Sequence, residues 1–148
     1  MTIREQIQNA IIAATKAREL TRLETLRMAK GALLVKEKAK NKLEDMTDED
    51  VVETLRAEVR KRRQSMEIYA EHGKEEEVEA LRTEISVIEE FLPRQLSEEE
   101  IEERVRTYRA EHPEINHAGK LTGIMKKELG DEADGKILNV VCRRVLGQ

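Results

Sequence analysis

The serine and cysteine side chains of this 148-residue sequence are Ser65, Ser86, Ser97 and Cys142, and its imidazoles are His72, His112 and His117. A hydrolytic triad needs a nucleophile, a base and an orienting acid held in defined roles. Ser97 stands directly before Glu98-Glu99-Glu100, which is the pattern of a helix cap. Cys142 falls within an apolar helical pattern, where a buried thiol is inert. His112 and His117 are five apart with Pro113 between them, not the i, i+4 spacing that sets two metal ligands on one helical face. The runs Glu75-Glu76-Glu77 and Glu98-Glu99-Glu100 fall in first helical turns, where acids favour the helix dipole, whereas general acid–base work needs a partly buried carboxyl. There is no P-loop and no Gly-rich dinucleotide turn. Catalytic residues, a metal and a cofactor are therefore not expected, and the chain on its own is not expected to be an enzyme.

One cluster points to binding: Gly119-Lys120-x-x-Gly123-x-x-x-Lys127, followed by Ala133-Asp134-Gly135-Lys136. At about 100° per residue, Leu121, Ile124, Met125 and Leu129 share one helical face, and Lys120, Gly123 and Lys127 fall roughly opposite. A glycine on an exposed helical face costs ~1 kcal/mol relative to alanine. Close approach of a phosphate backbone between two lysines would account for it, as would helix packing between the units or plain drift. Asp134 reads as the cap of the last helix, so its carboxylate already occupies the amides an anion would use. The run Arg60-Lys61-Arg62-Arg63 spreads around one helical turn and reads as solvated charge, paired with Glu of the following helix. Tyr69, Phe91 and Tyr108 are the only aromatics, too few for stacking unpaired bases, so an RNA partner would be held by backbone and shape.

The elements that must carry these residues are helices. Charged residues make up 39% and aromatics 2%, a composition of solvent-washed helices rather than of a large core. Net charge is −4 but uneven: residues 1–44 hold ten Lys/Arg against five Asp/Glu, residues 45–104 nine against twenty, and residues 105–148 eight against six. An acidic middle thus separates two mildly basic ends. A single cysteine excludes an internal disulfide and fits a reducing compartment. No apolar run approaches the roughly 18 residues of a membrane span, and Met1-Thr2-Ile3-Arg4-Glu5 lacks a signal-peptide core, so a cytoplasmic location is expected.

Capping signatures punctuate the pattern. Thr2 with Glu5 opens a helix carrying Ile3, Ile7, Ile11 and Ala14. Thr21 with Glu24 repeats the signature after a short turn at Ala17 to Thr21, and a second helix is expected to run to about Asn41 with Leu23, Leu26, Leu33 and Leu34 on its apolar side. Thr47-Asp48-Glu49-Asp50 opens a third, striped by Val51, Val52, Leu55, Val59, Met66 and Tyr69. After Gly73 a fourth carries Val78, Leu81, Ile85, Ile88 and Leu92 up to Pro93, making a long helical hairpin with the third. Ser97 with Glu100 starts three shorter helices, at about 98–110, from Asn116 or His117 to Gly130, and after Asp134 with Ile137, Leu138, Val141 and Val145 inward. The expectation is an all-α chain with an elongated helical unit at 1–92 and a small three-helix bundle at 97–148.

Certain motifs carry a family resemblance. Glu58-Val59-Arg60-Lys61-Arg62-Arg63-Gln64-Ser65, then Tyr69, Gly73 and Phe91-Leu92-Pro93-Arg94-Gln95-Leu96-Ser97-Glu98-Glu99-Glu100 resemble the bacterial YqeY family. Leu26-Arg27-Met28, Gly119-Lys120 and Ala133-Asp134-Gly135-Lys136 extend the likeness to the whole chain. The resemblance implies an all-helical fold whose small bundle is similar to the tail of GatB, a subunit of the tRNA-dependent amidotransferase. In that enzyme the tail contacts tRNA while catalysis lies elsewhere. It thereby implies tRNA binding or association with an amidotransferase (a carbon–nitrogen ligase with glutamine as amide donor), and puts Gly119, Lys120, Gly123, Lys127, Gly135 and Lys136 on the candidate surface. This chain departs from the family pattern Gly-Arg-Ala-Asp-Gly with Asp131-Glu132-Ala133-Asp134-Gly135, which should weaken phosphate binding. Two functional readings follow, a non-catalytic tRNA-binding or amidotransferase-associated accessory protein, or an adaptor whose acidic hairpin docks a helical protein without binding RNA.

Overall fold

In the computed structural model, which describes residues 1–40 and 45–148, short polar side chains start five of the helices. Thr2, Thr47 and Ser97 each form a full capping box, with Glu5, Asp50 and Glu100 reaching back to the cap amide. His117 and Asp134 cap two more through a ring nitrogen and a carboxylate. The result is all-α, with seven α-helices, a single 3-10 turn and no strand among the described residues. No described helix is long and apolar enough to cross a membrane.

The chain divides into two compact units, Met1–Leu92 and Pro93–Gln148. The first holds α1 (Ile3–Ala17), α2 (Leu20–Ala39), α3 (Asp48–Glu71) and α4 (Glu75–Glu89). Here α2 packs against all three others. Pairs of Arg4 with Glu37 at 2.6 Å and Lys30 with Gln8 at 2.6 Å show α1 and α2 running antiparallel. Ile7, Leu33, Val51, Leu55, Val59 and Ile88 bury the shared core, and Leu26 with Ala14 and Val87 fills a smaller one.

Several helix ends and faces differ from the sequence reading. Arg18 adopts the left-handed conformation (φ 57°), and its amide and that of Glu19 donate to Thr15 and Ala14 carbonyls at 3.3 and 3.0 Å. This closes α1 and reverses the chain so early that α2 begins at Leu20, leaving Thr21 inside its first turn rather than at its cap. The expected end of this helix near Asn41 lies outside the described residues. Leu34 is exposed while Thr25 and Ala29 are buried, because α2 carries apolar residues on two faces and its neighbours cover only one. Tyr69 is likewise exposed at the far end of α3, where Gly73 (φ 68°) turns the chain into α4. Leu92 follows α4, which ends at Glu89.

The basic run of α3 is not uniformly solvated. Arg60, Lys61 and Arg63 are exposed, and Arg63 pairs with Glu89 of α4 at 3.2 Å. Arg62, however, is only 6% exposed. Its Nη1 donates to the Glu58 carbonyl and carboxylate at 3.1 and 3.3 Å, and its Nε lies 3.9 Å from the Glu84 carboxylate without a hydrogen bond.

The second unit holds α5 (Glu98–Glu111), α6 (Ala118–Leu129), the 3-10 turn Gly130–Glu132 and α7 (Gly135–Val145). α7 packs against both α5 and α6, burying Leu138, Val141 and Cys142 against Ile101, Val105 and Leu121. Ile137, expected inside, is instead 36% exposed, since Leu138 and Cys142 set the buried face of this short helix.

Candidate functional site

The catalytic inventory is dispersed. His72 Nδ1 is bonded to the Ile68 carbonyl at 2.8 Å, His112 stacks on Tyr108 with ring centroids 4.3 Å apart, and His117 is a helix cap. Ser86 donates to the Arg82 carbonyl and Ser97 caps α5. Burial pushes the Cys142 thiol above its ordinary value, with a bond to Thr122 offsetting part of the rise. No imidazole is bonded to a serine or cysteine among the described residues, and these hold no group of three or more His, Cys, Asp or Glu able to grip a metal.

The lysine–glycine cluster, by contrast, is brought together by α6 and the start of α7. The Lys120 amide donates to His117 Nδ1 at 3.3 Å, starting α6. Gly119 makes room for this cap, because a Cβ there would stand 3.1 Å from the His117 ring. Ala118, Leu121, Met125 and Leu129 turn inward, and Lys120, Gly123 and Lys127 remain exposed. A Cβ at Gly123 would meet nothing within 4 Å, so no packing requires a glycine there. That removes helix packing within this unit as its explanation.

Beyond Gly130 the chain crosses to α7. Asp134 Oδ1 accepts from the amides of Lys136 and Ile137 at 2.9 and 3.1 Å, which fills the anion position at this N-terminus. Lys126 Nζ comes close to Gly135: a Cβ there would lie 2.9 Å from it, a contact the flexible lysine can relieve by moving aside. Lys126, not singled out in the sequence, thus links the lysine face of α6 to the first turn of α7, where Lys136 sits. The adjacent Lys126-Lys127 pair was the signal available for it. The Tyr108–His112 stack was also missed, although its i, i+4 spacing puts both rings on one face.

Electrostatics separates these lysines from three arginines of the unit, whereas Arg104, Arg109 and Arg143 likewise form no ion pair among the described residues. Arg144 bonds Glu98 at 2.6 Å and Glu102 at 2.9 Å, Arg106 approaches Glu102 at 3.6 Å, and Arg94 grips Glu100 at 2.9 Å. Lys120, Lys126, Lys127 and Lys136 form no ion pair among the described residues. The backbone carbonyls of Asp131 and Glu132 accept from Gln95 Nε2 at 3.1 Å and the Leu96 amide at 2.6 Å. Arg94 is held above its ordinary pKa chiefly by its bonds to Glu100, with Glu132 a lesser contributor. Point charges around an open helical face can hold phosphates but supply no reacting group.

No curated protein matches the sequence. The model of one family does, YqeY, described as Yqey-like protein, over residues 4–146. That match covers nearly the whole length, and the chain therefore belongs to the YqeY family.

Proposed function

We propose that this protein is a non-catalytic, tRNA-binding accessory of tRNA-dependent amidation, with the outer face of α6 as its RNA surface. The observation that carries the reading is the set of unpaired lysines Lys120, Lys126 and Lys127 around an open Gly123 on α6, with Lys136 at the start of α7, while Arg94, Arg106 and Arg144 of the same unit are bound to carboxylates. The similarity of the family's small bundle to the GatB tail supports tRNA as the anion. The carbon–nitrogen ligase label of the family then describes the enzyme served, and this chain contributes binding.

The test is binding of labelled bulk tRNA to the full chain from low to physiological salt. Two to four phosphate contacts should give a slope of about −2 to −4 in log K against log salt, and Lys120→Glu/Lys127→Glu should abolish binding. Salt-independent binding, binding that survives the double substitution, or none at low salt would each refute the reading. The alternative, an adaptor docking through the acidic α3–α4 hairpin, draws on Ile68 and Tyr69, exposed near its turn. It predicts salt-insensitive capture of a protein, lost in Ile68→Glu.

A further inference from the structure

Beyond that reading, and independent of it, we infer that a groove between α2 and α3 receives an amphipathic helix of another protein, apolar along one stripe and acidic along its flanks. Met28, Ala32, Val35 and Ala39 follow one another on α2 at steps of four, three and four, the spacing of a coiled-coil seam. None of them belongs to the buried core, which α2 serves with Leu23, Leu26, Ala29 and Leu33. Met28 is 49% and Val35 70% exposed, so α2 carries a complete second apolar seam that its own unit leaves uncovered. Such a seam runs about 16 Å, three turns of a facing helix.

The opposite wall is α3, whose Thr54 and Ala57 line the same groove. Alanines at 32, 39 and 57 keep the floor low, so a partner backbone can approach to the short end of the 8–10 Å range of helix packing. Met28 and Val35 then act as the two knobs that enter its holes.

Charge selects the partner. Lys36 and Arg60 line the groove, one on each wall, and neither carries an ion pair among the described residues. Glu58 is already taken by Lys61 at 3.1 Å and Arg62 at 3.3 Å, which leaves Glu53 as the one unpaired carboxylate of the lining. A partner with glutamates on both flanks meets these cations, and a single basic residue opposite Glu53 would fix its direction. An interface of this size falls in the weak, transient class.

The full chain can be titrated with a fluorescein-labelled helix of about 18 residues bearing leucine at each a and d position and glutamate on its flanks. A twin with lysine flanks serves as the comparison. The glutamate helix should bind at least about tenfold tighter than its twin, and Val35→Glu or Arg60→Glu should each weaken it by about as much. Lys120→Glu/Lys127→Glu should leave it unchanged, which separates this surface from the RNA face of α6. Equal affinity for both helices, no binding at about 1 mM, or full affinity in Val35→Glu overturns the inference. Sedimentation showing a dimer of the chain that Val35→Glu dissolves would assign the groove to a second copy and overturn it as well. So would salt-sensitive tRNA binding lost in Arg60→Glu but kept in Lys120→Glu/Lys127→Glu.

Discussion

An alanine at position 123 would add a methyl group where nothing lies within 4 Å, in the middle of a helix that pays for its glycine in backbone entropy. Gly123→Ala should therefore raise stability by ~1 kcal/mol, read as a higher urea midpoint. If a phosphate backbone approaches this face, the same substitution should weaken tRNA binding, so one variant moves the two quantities in opposite directions. Arg62 presents the reverse case, a residue whose removal should be costly. It is buried beside Glu58 and Glu84, whose side chains are 14% and 23% exposed. Arg62→Ala would leave both carboxylates without this cation and should cost about 3 kcal/mol, whereas Arg62→Met with Glu58→Gln and Glu84→Gln should recover most of it. Chemical denaturation of the single and triple variants checks both. The position of Arg62 was readable, since Leu55, Val59, Arg62 and Met66 step by four, three and four. Its residue type, in a run of four cations, argued for solvent instead.

The elements that were legible in the sequence are those set by local chemistry. Thr2, Thr47 and Ser97 start helices with partners three residues away, and a capping box is visible in four letters. The α1–α2 turn falls within the expected Ala17–Thr21 stretch, but α2 starts two residues before the expected position because nothing in the sequence marks Arg18 for the left-handed region, whereas Thr21 and Glu24 imitate a cap. That conformation costs a side chain about 1–2 kcal/mol, so Arg18→Gly should stabilise the chain by about 1 kcal/mol. Cα chemical shifts should confirm that α2 still starts at Leu20. Asp134 offers the complementary test at α7. Asp134→Ala removes the bonds to the Lys136 and Ile137 amides and should cost about 1 kcal/mol, while Asp134→Asn should lose far less. The faces of α2 were harder, because two apolar seams share one helix and periodicity does not say which of them the chain itself covers. The lysine face of α6 followed from helical spacing. The reach of Lys126 to Gly135 did not, since it depends on how α6 and α7 pack.

For the molecule as a whole, 31 acids and 27 Lys/Arg give a chain near neutrality at pH 7 that becomes strongly positive once its carboxylates are protonated. Acid should therefore destabilise it, and two carboxylates set the window. Lys40 bonds Asp50, and with the Thr47 amide and hydroxyl it lowers this carboxyl from 3.8 to about 2. Arg94 bonds Glu100 and, with the Ser97 amide, lowers it from 4.5 to about 2. A carboxyl more acidic in the folded chain than in the unfolded one contributes stability that is fully present above its unfolded value. The contribution drains away as pH falls through the folded value. The urea midpoint should thus hold down to about pH 5 and decline progressively toward pH 2. Asp50→Asn and Glu100→Gln remove the charged partner of a capping box and should each lower the midpoint at pH 7. Both should flatten the acid limb, so that each variant converges on the parent chain near pH 2. Midpoints at pH 7, 5, 4, 3 and 2 for the three proteins decide it. Curves that stay parallel through the acid range would show that these two carboxylates, one in each unit, do not set the acid response.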